Sequence, residues 1–268
     1  MNTRIRDVER ESLSTHVHAP MIELKTSDEI ERMRQAGRIV ARLLRRLTAM
    51  AKPGMRTNAL DEEALAYVRQ EGAQPAFLGY RGYPATICVS INEEVVHGIP
   101  GDRRMREGDL VSLDAGAVFE ELYADAAITI PIGSMSPLAR RLSDTTRQAL
   151  EAGIAQAITG HRLSDISHAV QRRIEREGFA VVRDFVGHGI GRALHEEPQI
   201  PNFGPPNAGP RLRPGMVLAI EPMVTTGGHE VMVLEDGWTA VTKDRSLAAH
   251  FEHTVAITEQ GPQILTVE

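Results

Sequence analysis

The sequence predicts a mixed α and β protein, of the α/β (α+β) class, built from two similar halves. Two runs of nine residues align with each other without a gap, Arg106–Asp114 and Arg213–Glu221. Both copies read Arg-x-Gly, then an apolar strand, then a carboxylate, and a His-Gly-Ile segment lies upstream of each, at His97 and at His188. Each half also reads as two helices followed by strands. The halves are therefore interpreted as diverged copies, over residues 21–135 and 136–268.

The first half begins with two helices. Thr26 and Glu29 have capping-box spacing, and apolar residues follow at helical intervals until Pro53-Gly54 ends the helix. A second helix is predicted over residues 59–71. Strands are predicted next, over residues 85–92, 94–97, 110–115 and 122–130.

The second half repeats this plan. Pro137 follows Ser136, an arrangement typical of a helix start, and a further helix is predicted over residues 164–177. A long loop rich in Pro and Gly, residues 201–214, is predicted to border the functional site. Strands are predicted over residues 181–185, 217–221, 230–234 and 251–257.

Composition sets limits on the class of protein. The chain has 268 residues and a net charge of −6, which gives no footprint for DNA binding. No apolar run is long enough to span a membrane, and Cys88 is the only cysteine, which fits a reducing compartment. We expect a cytoplasmic enzyme with a flexible tail, residues 1–20, ahead of a single domain, residues 21–268.

Five residues that could bind metal lie in predicted strands or at strand ends. Four carboxylates and one imidazole suit a pair of divalent cations, which a shared carboxylate can bridge at ~3.5–4 Å. A single acid at a strand end is more often solvated, so the prediction depends on the joint pattern. The candidates are Asp114, Asp125, His188, Glu221 and Glu252.

Strand pairing should gather these acids at one place. The short turn between strands 110–115 and 122–130 predicts that Asp114 and Asp125 face each other. Pairing of the two halves about an approximate twofold axis would bring Asp114 and Glu221 together at the centre. His253 is predicted to point to the other strand face and to be structural. Six further histidines are predicted to be surface or packed residues: His16, His18, His161, His168, His229 and His250.

Several long motifs follow one another along the chain, and together they resemble the type I methionine aminopeptidases of the pita-bread fold. The resemblance runs from about Met21 to the C-terminus. The matching motifs are Gly79-Tyr80-Arg81-Gly82-Tyr83-Pro84, Cys88-Val89-Ser90-Ile91-Asn92-Glu93, Val96-His97-Gly98-Ile99-Pro100, Gly187-His188-Gly189-Ile190-Gly191, His195-Glu196-Glu197-Pro198, Ile220-Glu221-Pro222-Met223 and Glu252-His253-Thr254.

The resemblance implies a fold and a metal site. The pita-bread (creatinase/aminopeptidase) fold has two pseudo-symmetric halves and a central antiparallel sheet covered by helices. The five candidates would hold two divalent cations, with Asp125 and Glu252 bridging them. Co, Mn, Fe and Zn all remain open as the metal.

The resemblance also implies residue roles. His97 and His195 would touch substrate, and Glu221 would carry a proton as well as bind metal. The initiator methionine would enter a pocket in which Phe77 and Leu194 stand where related enzymes carry other residues. The remaining pocket residues would be Tyr80, Tyr83, Cys88 and Trp238.

The predicted activity is removal of the initiator methionine from nascent polypeptides when the second residue is small. Arg42, Arg45 and Arg46 of the first helix most simply form a solvated face, although contact with the ribosome exit region is possible. A monomer is expected from the resemblance. Two alternatives stay open: a related hydrolase of the Xaa-Pro aminopeptidase or prolidase kind, and a non-catalytic binding protein on the same fold.

Overall fold

The computed structural model describes residues 22–268, so the predicted tail over residues 1–20 lies outside the described residues. The helices are α1 (Ser27–Met50), α2 (Thr57–Gln70), α3 (Pro137–Ile154) and α4 (Leu163–Glu175), with a 3₁₀ turn over Tyr80–Gly82. The strands are β1 (Gln74–Pro75), β2 (Ile87–Ile91), β3 (Glu94–Val96), β4 (Leu110–Phe119), β5 (Leu122–Pro131), β6 (Ala180–Val181), β7 (Gly187–Gly189), β8 (Glu196–Ile200), β9 (Val217–Ile220), β10 (Met223–Thr225), β11 (Val231–Val233), β12 (Ala240–Thr242), β13 (Ala248–His250), β14 (Glu252–Thr258) and β15 (Gly261–Ile264).

The two predicted helix starts with capping signals are confirmed. The Thr26 hydroxyl accepts a hydrogen bond from the Glu29 amide at 3.3 Å, and the Glu29 carboxylate accepts one from the Thr26 amide at 2.8 Å. The Ser136 hydroxyl accepts from the Ala139 amide at 3.1 Å, with Pro137 as the first helical residue. These side chains satisfy amides that the helix leaves unpaired at its start.

One antiparallel sheet joins both halves of the chain. Its strand order is β1-β4-β5-β14-β9-β7-β8, and β2 pairs with β4 while β15 pairs with β14. The halves meet where β5 pairs with β14, in a register that sets Ala127 opposite Glu252. Two three-stranded sheets, β13-β10-β6 and β11-β12-β3, flank this sheet.

The helices cover one face of the main sheet. Leu113 of β4 is buried in one core with the apolar faces of α1 and α2, and Ile220 of β9 and Val255 of β14 are buried with α3 and α4. Alternate strand residues point to opposite faces, so the strand residues next to Leu113, Ile220 and Val255 face away from the helices. No helix within residues 22–268 is long and apolar enough to cross a membrane.

The repeated sequence runs form equivalent turns. Gly108 and Gly215 have φ values of +87° and +91°, a region that a side chain disfavours. The Gly108 amide donates to the Ile132 carbonyl at 2.7 Å, and the Gly215 amide donates to the Ile257 carbonyl at 3.0 Å. The same turn therefore leads into β4 in the first half and into β9 in the second.

Several predicted boundaries need correction. The predicted strand over residues 181–185 is wrong beyond Val181, where β6 ends. The hairpin of β4 and β5 is longer than predicted, and its turn residues Glu120 and Glu121 have positive φ values of 47° and 66°. Propensity gives no sign of β7, because it consists of Gly187, His188 and Gly189.

The backbone approach between strands explains why β7 is rich in glycine. A Cβ atom on Gly187 would lie 2.4 Å from the Ala219 carbonyl oxygen, and one on Gly189 would lie 2.2 Å from the Glu197 carbonyl oxygen. Both distances are too short for any side chain. The glycines thus allow His188 to stand between β8 and β9.

We predict that Gly37→Ala destabilises the protein although alanine favours helices by about 1 kcal/mol over glycine. A Cβ atom on Gly37 would lie 2.2 Å from the backbone oxygen of Leu265, so α1 would have to move from the C-terminal segment. Overpacking of this kind costs about 1–3 kcal/mol. Urea unfolding of the metal-free protein should show a lower free energy of unfolding for Gly37→Ala. Arg45→Ala on the exposed face of α1 should change the free energy of unfolding by less than about 0.5 kcal/mol. Equal stability of Gly37→Ala and the parent protein would contradict this packing.

Candidate metal centre and active site

Five adjacent strands each bring one candidate ligand to the face of the sheet that points away from the helices. In spatial order the strands are β4, β5, β14, β9 and β7. Glu221 directly follows β9, and the other four residues lie within their strands. All five line one cavity of about 150 Å³: Asp114, Asp125, Glu252, Glu221 and His188.

Strand register places the candidates in two neighbouring rows. Asp114 pairs with Ala127, which also pairs with Glu252. His188 belongs to the other row, where it pairs with Ala219. Because residues two apart share a face, both rows point into the cavity. Ala127 lies between Asp114 and Glu252 in one row, and Ala219 lies beside His188 in the other.

The prediction that Asp114 and Asp125 face each other across the strand pair is wrong. Asp125 lies opposite Gly116, so the two carboxylates are diagonal neighbours on the same face. The Thr254 hydroxyl accepts from the Asp125 amide at 2.9 Å and donates to the Asp125 carbonyl at 2.8 Å. This double contact fixes the backbone of Asp125 against β14.

His188 presents a free nitrogen to the carboxylates. Its Nδ1 lies 2.9 Å from the carbonyl oxygen of Gly189, which can only accept, so Nδ1 carries the proton. The lone pair is left on Nε2, which lies 3.5 Å from Oε1 of Glu221. Ligand atoms of Asp125, His188 and Glu252 also lie within 4.8 Å of one another. A backbone partner on the far nitrogen is the usual support for a metal-binding imidazole.

The carboxylates are buried together, and this shifts their protonation. Burial, with repulsion from Glu221, raises the pKa of Asp114 to about 6, and burial raises the pKa of Glu221 itself to about 7. Burial and neighbouring carboxylates raise the pKa values of Asp125 and Glu252 well above their ordinary range. Several negative charges in one buried cavity need cations to compensate them.

Unsatisfied oxygens support the same conclusion. Among residues 22–268, buried oxygens of Asp114, Asp125 and Glu252 have no hydrogen-bond partner. Buried polar atoms are nearly always paired, so three such atoms around one cavity require an explanation. Oxygen and imidazole donors that point into a shared space fit divalent first-row cations.

We predict that metal stabilises the protein more strongly as pH rises from about 4 to about 7. Folding raises the carboxylate pKa values above about 3.9–4.3, so the metal-free fold binds extra protons and loses stability through this window. Cations bind the deprotonated groups and remove that loss. Melting curves with and without Mn²⁺ should therefore diverge between about pH 4 and about pH 7. A difference in melting temperature that is independent of pH would contradict the assignment.

Two further histidines lie beside the carboxylates. The ring centroid of His195 is 4.2 Å from that of His188, and Nδ1 of His195 is 2.9 Å from the Tyr80 hydroxyl. Burial lowers the pKa of His195 to about 3 and that of His97 to about 4, so both rings are neutral at physiological pH. His97 has a φ of +60°, a conformation uncommon outside glycine, which is often found at functional sites.

Aromatic side chains form the walls of the cavity. Trp238 makes edge contacts with Tyr83 at 5.1 Å and with His97 at 6.2 Å between ring centroids. Phe77 packs over Gly116, where a Cβ atom would lie 2.8 Å from its ring. All six predicted pocket residues line this cavity: Tyr80, Tyr83, Cys88, Trp238, Phe77 and Leu194.

One residue that lines the cavity, Arg81, and one buried neighbour of Glu221, His250, escape the sequence analysis. Arg81 lines the cavity with a φ of +48° and lies over the Tyr80 ring, 5.4 Å from its centroid. His250 is buried as one of the two predicted options, but it faces Glu221. The available signal was its position two residues before Glu252. The structural role predicted for His253 agrees with the structure, where its Nδ1 lies 2.8 Å from the Thr266 hydroxyl.

The loop over residues 201–214 borders the site only at its start. Asn202 donates from its side-chain amide to the Glu221 carbonyl at 3.0 Å. Farther along, the Asn207 amide bonds to Asp165 and the Ala208 amide bonds to Ser164, both at the start of α4. The later part of the loop therefore packs on a helix, contrary to the prediction.

A buried ion pair anchors the loop that carries His195. One Glu196 oxygen accepts from the backbone amides of Arg192 and Ala193, at 2.6 and 3.1 Å. The other accepts from the Lys25 ammonium at 2.6 Å, and the Lys25 side chain is 1% exposed. The segment before α1 thus holds the loop against the cavity.

We predict that Lys25→Met lowers the free energy of unfolding by about 3 kcal/mol, because it leaves a partly buried carboxylate without its cation. Urea denaturation measures the loss. Arg147→Met removes one partner of the exposed Arg147–Glu151 pair and should cost less than about 1 kcal/mol. Equal losses in the two variants would show that Lys25 is no anchor.

Known proteins of the same kind match nearly the whole chain. Residues 31–259 match the model of metallopeptidase family M24. The chain is 52% identical over 246 residues to methionine aminopeptidase 1 of Bacillus subtilis (strain 168), which covers 92% of this chain and 99% of that relative. It is 50% identical over 248 residues to a further relative, methionine aminopeptidase of Clostridium acetobutylicum, and the alignment covers 92% of this chain and 99% of that relative.

Solved structures give the same result for the fold. Methionine aminopeptidase from Thermotoga maritima aligns with a TM-score of 0.91 at 50% identity, covering 92% of this chain and 100% of that one. Prolidase from Pyrococcus furiosus aligns with a TM-score of 0.76 at 24% identity, covering 91% of this chain and 65% of that one, and shows the fold alone.

These likenesses confirm the predicted pita-bread fold and the resemblance to methionine aminopeptidases. They also confirm the predicted enzyme class, a metal-dependent exopeptidase, because relatives near 50% identity over almost the full length have that class. The cavity ringed by buried carboxylates is what a metallopeptidase requires. The chain belongs to metallopeptidase family M24.

Proposed function

We propose that this enzyme removes the N-terminal methionine from nascent polypeptides whose second residue is small, with two divalent cations at the buried carboxylates. The observation that carries the proposal is the joining of two surfaces in one cavity. Its floor holds five metal-binding side chains, and its walls are largely aromatic. The relatives named methionine aminopeptidase support the substrate.

The cation ligands would be Asp114, Asp125, His188, Glu221 and Glu252, with Asp125 and Glu252 shared between two ions. Bound divalent cations lower the pKa of a water from ~15.7 toward neutrality and polarise a carbonyl group. Co, Mn, Fe and Zn all suit this donor set.

Proton transfer is assigned to Glu221. Its carboxylate lies between the imidazoles of His188 and His250, where it can accept the proton of the attacking water. The same oxygen can return that proton to the leaving amine, so one residue serves as base and then as acid. Asn202 holds the Glu221 backbone, which keeps the carboxylate at the cavity.

The two neutral histidines are assigned to the substrate. When the Tyr80 hydroxyl donates to Nδ1 of His195, the ring proton lies on Nε2, which can then donate to the substrate carbonyl oxygen. Such a contact to a developing oxyanion is worth about 2.7–4 kcal/mol in other enzymes. The N–H of a substrate peptide bond can only donate a hydrogen bond, so His97 would accept it with an unprotonated ring nitrogen.

The methionine side chain would enter the aromatic part of the cavity. Tyr83 and Trp238 offer ring edges and faces for a thioether, a contact worth about 0.3–1.5 kcal/mol. An apolar pocket gains only about 1–3 kcal/mol from one methylene, so norleucine should be a competent replacement. Phe77 and Leu194 complete the walls and set the depth of the pocket.

The two alternatives are less well supported. Prolidases share the fold, but at 24% identity and with much longer chains. A non-catalytic binder would have no need for five clustered ligand side chains with both substrate histidines beside them.

The proposed partners are the N-termini of nascent polypeptides, and neither DNA nor a membrane is proposed as a partner. The proposed site of action is the cytoplasm, and the proposed oligomeric state is a monomer. Contact with the ribosome exit region is a weaker proposal. Each arginine of the exposed α1 face has a carboxylate of this chain within 4.0 Å, which reduces the charge available to a ribosomal surface. The pairs are Arg42–Glu71, Arg45–Glu268 and Arg46–Glu63.

We predict that metal-stripped protein reloaded with Mn²⁺, Fe²⁺ or Co²⁺ releases methionine from Met-Ala-Ser, and that Met-Leu-Ser reacts far more slowly. Mass spectrometry of the products measures both. Glu252→Gln, which removes a proposed shared ligand, is the control for a contaminating peptidase and should be inactive. Release of alanine from Ala-Pro-Ala instead would assign the Xaa-Pro activity, and no release from any of these peptides would favour the binding protein.

A further inference from the structure

His250 is held at the metal cavity by its own backbone. It ends β13 and its side chain is 2% exposed. The His250 amide donates to the Thr129 hydroxyl at 2.9 Å, and that hydroxyl donates to the His250 carbonyl at 2.7 Å. Since Thr129 belongs to β5, this contact ties β13 to the strand that carries Asp125.

The imidazole of His250 points at Glu221 without bonding to it. Its Nε2 lies 3.7 Å from Oε2 of Glu221, beyond the ~2.7–3.2 Å of a hydrogen bond. Among residues 22–268 this buried nitrogen has no hydrogen-bond partner. An unpaired polar atom in so buried a place is costly unless something else fills the gap.

The position of His250 matches that of His188. Nε2 of His188 lies 3.5 Å from Oε1 of Glu221, so the two imidazoles flank the two oxygens of one carboxylate. Atoms that bind one cation at ~2.0–2.2 Å lie roughly 3–3.5 Å apart. Both separations are close to that range, and both are too long for a hydrogen bond.

Two groups of three donors share Glu252. Ligand atoms of Asp125, His188 and Glu252 lie within 4.8 Å of one another, and so do those of Glu221, His250 and Glu252. Each group contains one imidazole and two carboxylates. We infer that Nε2 of His250 is an additional metal ligand beside Glu221. The inference rests on the proposed function, because it needs the cations that this function uses.

A second imidazole changes the chemistry of the centre. Nitrogen donors favour first-row transition metals over Mg²⁺ and Ca²⁺, so His250 would add affinity and selectivity on its side of the cluster. Loss of His250 should lower the affinity for one of the two cations about 10-fold or more and leave the affinity for the other unchanged. A merely packed histidine would leave both affinities unchanged.

The test is the number of imidazoles bound to cobalt in the full-length protein. Co²⁺ shifts the exchangeable N–H resonances of bound histidines far from the diamagnetic proton range, so each ligand gives one resolved signal. The unchanged protein with two Co²⁺ should show two such signals, and His250→Gln should show one. Calorimetric titration of both proteins with Co²⁺ should show the weakened ion.

His253→Gln is the matched control. His253 lies on the next strand along the chain, three residues from His250. It shares a pocket with Leu150 of α3 and contacts Thr266, so this variant should keep both signals and both affinities. The signal count of the unchanged protein needs no variant, which keeps the test decisive even if His250→Gln folds poorly.

Three outcomes separate the possibilities. Two signals, one of which disappears in His250→Gln alone, would support the inference. A single signal in the unchanged protein, with Co²⁺ affinities that His250→Gln does not alter, would overturn it and leave the proposed function intact. Failure of the unchanged protein to bind Co²⁺ would overturn both.

Discussion

Burial of four carboxylates in one cavity is the constraint on which the rest of this structure depends. Negative charges this close repel one another, and removal from water adds to the cost, so the fold must provide cations or protons to compensate them. The raised pKa values of Asp114 and Glu221 express that cost. Every feature around the cavity either tolerates this charge or prepares it for cations.

The sheet meets the constraint by giving each charge its own strand. Asp114, Asp125, Glu252, Glu221 and His188 belong to consecutive strands or follow one directly, so hydrogen bonds between strands hold their spacing. Asp114 and Glu252 are both in register with Ala127, so one small residue separates them in that row. The opposite face of the same strands is apolar and packs on helices, which makes the cavity floor rigid.

Polar contacts outside the cluster then orient the reactive groups. The Gly189 carbonyl sets the tautomer of His188, and the Tyr80 hydroxyl contacts Nδ1 of His195 at 2.9 Å. The Lys25–Glu196 ion pair holds the loop that presents His195. The cavity therefore joins a floor of buried carboxylates to walls that are largely aromatic.

The sequence by itself determined the features that depend on neighbouring residues. Helix starts at Thr26 and Ser136 follow from capping, and the β4–β5 hairpin follows from apolar runs around a short turn. The five candidate metal ligands follow from the repeat and from the motifs that resemble a known family. Only the tertiary structure decided that β5 pairs with β14, that Glu252 and Asp114 share a row through Ala127, and that His250 joins Glu221. The physical reason is range: capping and periodicity act within a few residues, whereas pairing between strands more than a hundred residues apart depends on how both halves pack, and no local pattern records it.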